Sequence, residues 1–225
     1  MANSDINALE SMDCAIRYNN YVLKKILQNL NEGNILDFGA GFGTFSKLLI
    51  LNGREVTALE IDSEAISKLK EENINYISSL DNKSESYQNI VSLNVLEHID
   101  DDEEILRLLY KTLKPSGKLI LYLPASMLAW SYIDVWVNHR RRYMKKDLKL
   151  KVENAGFQIL NIEYVDFTGW IGVLLMKILK YKPNLDESKI KFYDKFIFNP
   201  FKFLDLIFNR IIGKNIFLVA EKKNK

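Results

Sequence analysis

The stretch Asp37-Phe38-Gly39-Ala40-Gly41-Phe42-Gly43 constrains this chain more than any other. It follows a short apolar run, Asn34 to Phe38, and precedes a helical pattern from Thr44 to Asn52, so three glycines fall where a buried strand hands over to a helix. Glycines at such a turn let a ligand lie against the backbone, at the crevice beyond the carboxyl ends of the strands. A dinucleotide fingerprint would place its third glycine at position 44, which is Thr44, and this weakens a pyrophosphate reading. Asp37, two residues before the first glycine, is likewise a poor neighbour for pyrophosphate and a good one for a cationic ligand. Glu60 ends a second strand pattern, Glu55 to Ile61, where a carboxylate can accept hydrogen bonds from both hydroxyls of a ribose. The glycine turn and the acidic strand end together point to a nucleoside.

The rest of the chain alternates strand and helix. An amphipathic helix is predicted over residues 12–30, ended by Gly33, and a helix over Ser63 to Glu72 follows the second strand. Further strands are expected at Asn75 to Ser78, Asn89 to Val95, Lys118 to Pro124, Phe157 to Val165 and Ile216 to Glu221. Helices are expected at Asp102 to Leu113 and Lys145 to Asn154, and Pro115-Ser116-Gly117 reads as a tight turn before the fifth strand. Residues 167–213 form an apolar, aromatic helical insertion, expected to cap the acceptor side and to bury Trp170, Ile171, Val173, Leu174 and Leu175. The alternation predicts one α/β domain over residues 1–225, with a mostly parallel sheet covered by helices on both faces.

Charge is unevenly placed. Residues 1–138 hold 12 Lys and Arg against 20 Asp and Glu, whereas residues 139–225 hold 19 against 9. A basic back half suggests contact with an anionic group, such as a phosphate, a sugar nucleotide or a lipid headgroup. Within it, Phe196, Phe198, Phe201, Phe203 and Phe208 interleave with Lys195, Lys202 and Arg210. That stretch can rest on an anionic membrane, hold a lipid-linked acceptor, or simply pack on its own domain. A lone cysteine, Cys14, closes no intramolecular disulfide, and the N-terminal residues lack a signal-peptide pattern. The longest uncharged run, Leu119 to Ile133, contains Pro124 and is too short to span a bilayer, so a cytoplasmic location is expected.

The segments ILDFGAGFGTFSKLL, VTALEIDSEAI, NIVSLNVLEHIDDDEEILRLLYKTLKPSGKLILYLPA and FLVAEKK, taken together, resemble the class I S-adenosylmethionine-dependent methyltransferases. AIRYNNYV, DVWVNHRRRY and GFQILNIEYVDFTGWIG are similar to a bacterial subgroup associated with glycosyltransferases of surface-glycan and lipid-linked sugar pathways. The resemblance implies a Rossmann-like, seven-stranded, mostly parallel sheet whose antiparallel last strand lies beside the fifth. It also implies a transferase using S-adenosylmethionine on a small-molecule, glycan or lipid-linked sugar acceptor. By the same resemblance Asp37, Gly39 and Gly41 meet the methionine part of the cofactor, Ala40 is a further cofactor contact, Glu60 binds the ribose, and Ile61 and Leu80 flank the adenine, with Asn94 beneath. Core packing is the alternative for Leu80. No Asn/Asp-Pro-Pro-aromatic motif follows the fourth strand, which has Leu93-Asn94-Val95-Leu96 instead, so nucleic acid is not the expected acceptor.

Methyl transfer to a hydroxyl needs an aligned nucleophile and a group to take its proton. His139, five residues after Asp134, is the candidate base, with Asp134 orienting its ring; the competing reading is a histidine that only pins its loop. Arg141, Arg142 and Tyr143 match the subgroup's RRY and are candidates to bind an anionic acceptor, the arginines alternatively pairing with the acidic front. Asn138 stands where the subgroup has glycine. Related quinone-pathway methyltransferases place a metal at VLEH with a further glutamate three residues earlier; here that residue is Asn94, so Glu97 and His98 are expected to shape the turn and no metal is expected. Asp100 to Glu104 is expected to be a solvated helix start. A cofactor-binding module without turnover and an NAD-dependent oxidoreductase are the alternative functions.

Overall fold

A computed structural model describes residues 13–180 and 187–223. Among the described residues, helix α1 (Ile16–Leu27) buries Tyr18, Val22, Leu23 and Ile26 along one face. The helix expected over residues 12–30 is shorter at both ends, with Ala15 as its N-cap and Gln28 as its C-cap, residue 12 itself lying outside the described residues. There follow β1 (Ile35–Phe38), α2 (Thr44–Leu51), β2 (Val56–Leu59), α3 (Ser63–Glu71), β3 (Tyr76–Ile77) and β4 (Tyr87–Leu93). A 3-10 turn (Leu96–His98), α4 (Asp102–Thr112), β5 (Leu113–Pro124), α5 (Tyr132–Trp136), α6 (Lys145–Asn154) and β6 (Phe157–Val165) come next. After α7 (Phe167–Ile178), α8 (Glu187–Phe192) runs into a π-helical segment (Tyr193–Phe198) and short helical turns ending with Asp205–Phe208, before β7 (Asn215–Lys222).

Seven strands form one sheet in the order β3-β2-β1-β4-β5-β7-β6. β1 to β5 pair in parallel, and β7 enters antiparallel between β5 and β6, as the family resemblance implies. Successive side chains on a strand face opposite ways, and here both faces are buried. Leu119, Leu121 and Leu123 join Ile216, Leu218 and Ala220 in a core under α4 and α6. Ile120, Tyr122, Phe217 and Val219 join α1 and Leu49 of α2 in a core on the other face.

Two further expectations are corrected here. The Pro115-Ser116-Gly117 signal does not separate α4 from the strand: β5 begins at Leu113, Ser116 takes φ 57°, and the pairing with β4 shifts between Tyr87 and Asn89. The turn residues are absorbed as an irregularity within the strand. In the insertion, Val173 is buried but Ile171 and Leu175 are exposed, because α7 packs only one side of itself on the molecule. Residues 181–186 of the insertion lie outside the described residues.

Candidate active site

β1 and β2 are neighbours in register, Phe38 beside Leu59, so the turns leaving them meet at the carboxyl edge of the sheet. Gly39, Gly41 and Gly43 all have positive φ (75°, 56° and 79°), the region in which a side chain is strained. At Gly39 a Cβ would also lie 2.5 Å from Val95 Cγ2, so the turn after β4 is seated directly on the glycine turn.

Asp37 points to the α2 side, where Ser46 Oγ donates to it at 2.6 Å. Burial pushes its carboxyl up to about 6; the charge of Glu60 acts in the same direction and the Ser46 hydrogen bonds oppose it. Glu60 is itself buried and accepts from the backbone N–H of Gly41 (2.8 Å), Ile61 (2.8 Å) and Asp62 (3.0 Å). It therefore ties the glycine turn to the end of β2. Ile61 is exposed beside it, Ala40 packs near Ala58 and Leu69, and Leu80 belongs to the core under α4. Asn94, exposed and at φ 54°, donates its N–H to Tyr122 O. Ser46, unnoticed in the sequence, is set facing Asp37 by the helix that begins at Thr44.

A second cluster forms where α5 and the loop after it meet the turn after β4, Arg140 N–H donating to Glu97 O at 2.9 Å. Asp134 is fully buried in α5, where it forms a capping box with Ser131. His139 Nδ1 lies 2.8 Å from Asp134 Oδ1, and Arg142 donates to the same carboxylate from Nε (2.7 Å) and Nη2 (3.1 Å). Burial alone would raise Asp134, but these hydrogen bonds and the Arg142 charge hold it down at about 2. An ionised Asp134 assigns the ring proton to Nδ1 and leaves Nε2 as the basic nitrogen. Nε2 faces Glu97 Oε1 at 3.6 Å. Glu97 is fully buried, neither carboxyl oxygen has a hydrogen-bond partner among the other described residues, and burial raises it to about 8 against the pull of its own backbone N–H and of Arg142. Burial thus favours its uncharged form.

Glu97, His98 and His139 offer donor atoms all within 4.8 Å of one another, a set invisible to sequence spacing because His139 comes from a distant loop. The expectation that Arg142 and Tyr143 face an acceptor is corrected: both are buried, Arg142 on Asp134 and Ala125 O, and Tyr143 donating to Asp102 at 2.7 Å. Arg141 pairs with Asp102 at 3.1 Å and Arg140 with Asp100 at 2.7 Å. Asp102 is buried rather than solvated, and hydrogen bonds from Lys151 and Tyr143 outweigh the burial that would raise it, so its carboxyl is lowered. The basic loop is thus clamped onto the start of α4.

A sheet of this order with an acidic glycine turn at its carboxyl edge defines the S-adenosylmethionine-dependent methyltransferase architecture. Residues 15–162 match the family described as a methyltransferase domain, and the chain belongs to it. It is 30% identical over 174 residues to a ubiquinone biosynthesis O-methyltransferase of Rickettsia bellii, covering 68% of this chain and 72% of that protein. A protein of the same name from Rickettsia canadensis is 29% identical over 196 residues, covering 78% and 83%. Among solved structures, a SAM-dependent methyltransferase from Archaeoglobus fulgidus superposes with a TM-score of 0.64 at 22% identity, covering 90% of this chain and 92% of that one. Phosphoethanolamine N-methyltransferase 2 of Haemonchus contortus, in complex with S-adenosyl-L-methionine, gives 0.59 at 19% identity, covering 92% and 52%. The protein is an S-adenosylmethionine-dependent methyltransferase with a Rossmann-like fold.

Proposed function

We propose that this methyltransferase acts in the cytoplasm on a hydroxyl of a small-molecule, glycan or lipid-linked sugar acceptor. The observation that carries the reading is His139, held by ionised Asp134 with its basic Nε2 beside the turn that packs on the glycine turn. The O-methyltransferase names of the relatives support a hydroxyl. The glycan or lipid-linked alternative rests on AIRYNNYV and DVWVNHRRRY.

Bound S-adenosylmethionine supplies a methyl group that a nucleophile can displace from its sulfur. Asp37 and the glycine turn suit its cationic amino-acid end, and Glu60 its ribose; two carboxylates at adjoining strand ends fit a cation and a diol. His139 Nε2 takes the acceptor's hydroxyl proton as the oxygen becomes nucleophilic. Asp134 keeps the ring in the required tautomer and stabilises the imidazolium that results. Arg142 holds Asp134, while Arg141 and Tyr143 fix the loop on Asp102.

Methyl-tritiated S-adenosylmethionine, incubated with a panel of soluble phenols and sugars and with a bacterial lipid extract, should label one class, and the phase holding the label separates soluble from lipid-linked acceptors. With that acceptor saturating, His139→Ala should lower turnover by about 10² to 10⁴ while leaving cofactor affinity intact. Near-normal turnover of the variant would remove the base from the mechanism. A thermal shift with NADH and none with S-adenosylmethionine would overturn the cofactor assignment itself.

A further inference from the structure

Helices and turns of the insertion leave an unusual share of large apolar side chains in water. On α7, Ile171, Leu175, Ile178 and Leu179 are exposed at positions i, i+4, i+7 and i+8, a single helical stripe. α7 packs against the Met127–Ala129 turn, where Met127 and Leu128 are exposed, and Lys177 Nζ donates to Leu128 O at 3.0 Å. It also packs against Lys202–Leu204 and the π-helical segment, whose neighbourhood exposes Phe196, Phe201, Phe203, Leu206, Ile207 and Ile211. Leu206, Leu179 and Ile211 are 80%, 74% and 68% accessible, so among the described residues they have little to pack against. A patch of this extent marks an interaction surface.

The charges on the same elements are sorted by sign. Among the described residues of the insertion, seven Lys or Arg are exposed (177, 180, 189, 191, 195, 202 and 210), and one acid is, Glu187, which pairs with Lys191. The other two acids point inward. Asp194 accepts from the backbone N–H of Arg17 (3.1 Å) and Tyr18 (2.8 Å), and Asp205 from those of Asp166 (2.9 Å) and Phe167 (2.8 Å) and from Tyr21 Oη (2.9 Å). With Asp194 and Asp205 engaged as helix caps, the exposed charges among the described residues of the insertion are mostly cations, interleaved with bare apolar side chains. Lys195 lies over the Phe196 ring at 5.0 Å, placing charge and aromatic side by side. Among the described residues no helix is long and apolar enough to cross a membrane.

We infer that this face docks on the surface of an anionic lipid bilayer, with the α7 stripe and the exposed phenylalanines entering the headgroup boundary and the lysines on lipid phosphates. The inference is independent of the acceptor's identity. A neutral partner would make no use of the excess of exposed cations, and a second copy would set like charges against each other.

The test is co-sedimentation of the full chain with vesicles of phosphatidylcholine alone or mixed with phosphatidylglycerol, at low and high salt. The protein should sediment with the anionic vesicles and be released by salt. Leu179→Asp with Leu206→Asp should weaken binding by about tenfold or more, since two exposed leucines lose their apolar contact. Lys195→Ala and Lys202→Ala should each weaken it by about fivefold. All four substitutions are at exposed positions, so cofactor affinity and melting temperature should be unchanged, which separates lost docking from lost fold. Absence of binding at low salt, or equal binding to neutral vesicles, would overturn the inference. So would a concentration-dependent dimer, dispersed by Leu206→Asp, in a protein that ignores vesicles.

Discussion

Asp37 shows how one residue couples burial to ligand chemistry. Its carboxyl is held near 6 because burial penalises the charge more than Ser46 compensates. In the apo protein the fold keeps this proton longer than the unfolded chain does, so the contribution of Asp37 to stability declines as pH rises through the unfolded carboxylate range to about 6 and is constant above. A cationic amino-acid end binds the ionised form. Cofactor affinity should therefore rise by about tenfold between pH 5 and pH 7, the change expected for a group titrating near 6. Calorimetry at several pH values measures this, and Asp37→Asn should flatten the profile and weaken binding at neutral pH. A wild-type affinity that is level across that interval would refute the assignment.

At the scale of elements, helix ends are closed both by neighbouring residues and by residues far away in sequence. α3 and α4 are capped locally, by Asp62 and Asp101. α1 has Ala15 at its N-cap and no side-chain cap of its own; Asp194, 176 positions beyond Tyr18, accepts its first N–H groups instead. One carboxylate thus caps α1 and fixes the insertion across it, where Phe198 packs edge-on against Tyr18. Asp194→Ala should cost about 1 to 3 kcal/mol, the penalty of leaving buried donors unpaired. Asp194→Asn, which keeps an acceptor oxygen, should cost less. Urea denaturation monitored by circular dichroism gives both values, and an unchanged midpoint in the alanine variant would show that the cap is not needed.

For the whole molecule, β7 is the strand on which both cores depend. It pairs with β5 from Lys118 to Pro124 and with β6 from Phe157 to Val165, and its residues alternate between the two hydrophobic clusters. Removing it would leave β5 and β6 with unpaired edges and both cores open. A chain ending at residue 214 should accordingly lose its cooperative unfolding transition and its cofactor-induced thermal shift. Retention of either would mean that the first five strands fold by themselves.

Local periodicity was enough to read β1 with its glycine turn, Glu60 at the end of β2, the strand at Phe157–Val165 and the helix at Lys145–Asn154, since each depends on residues near in sequence. The place of β7 was legible through the family resemblance; pairing order leaves no trace in a single strand's pattern. Asp134 and His139, five positions apart, were legible as a pair for the same local reason. The destinations of Arg142 and Tyr143 were not. An arginine reads as a ligand clamp or as an internal tie depending on which carboxylate the fold brings near it, and here α5 and the start of α4 supply Asp134 and Asp102. Glu97 reads in sequence as a turn residue beside His98, and only the docking of the loop on the turn after β4 buries it opposite His139. The inward turn of Asp194 and Asp205 belongs to the same class. Composition counts an acid without its direction, and direction is set by whichever unpaired backbone N–H groups the tertiary fold leaves within reach.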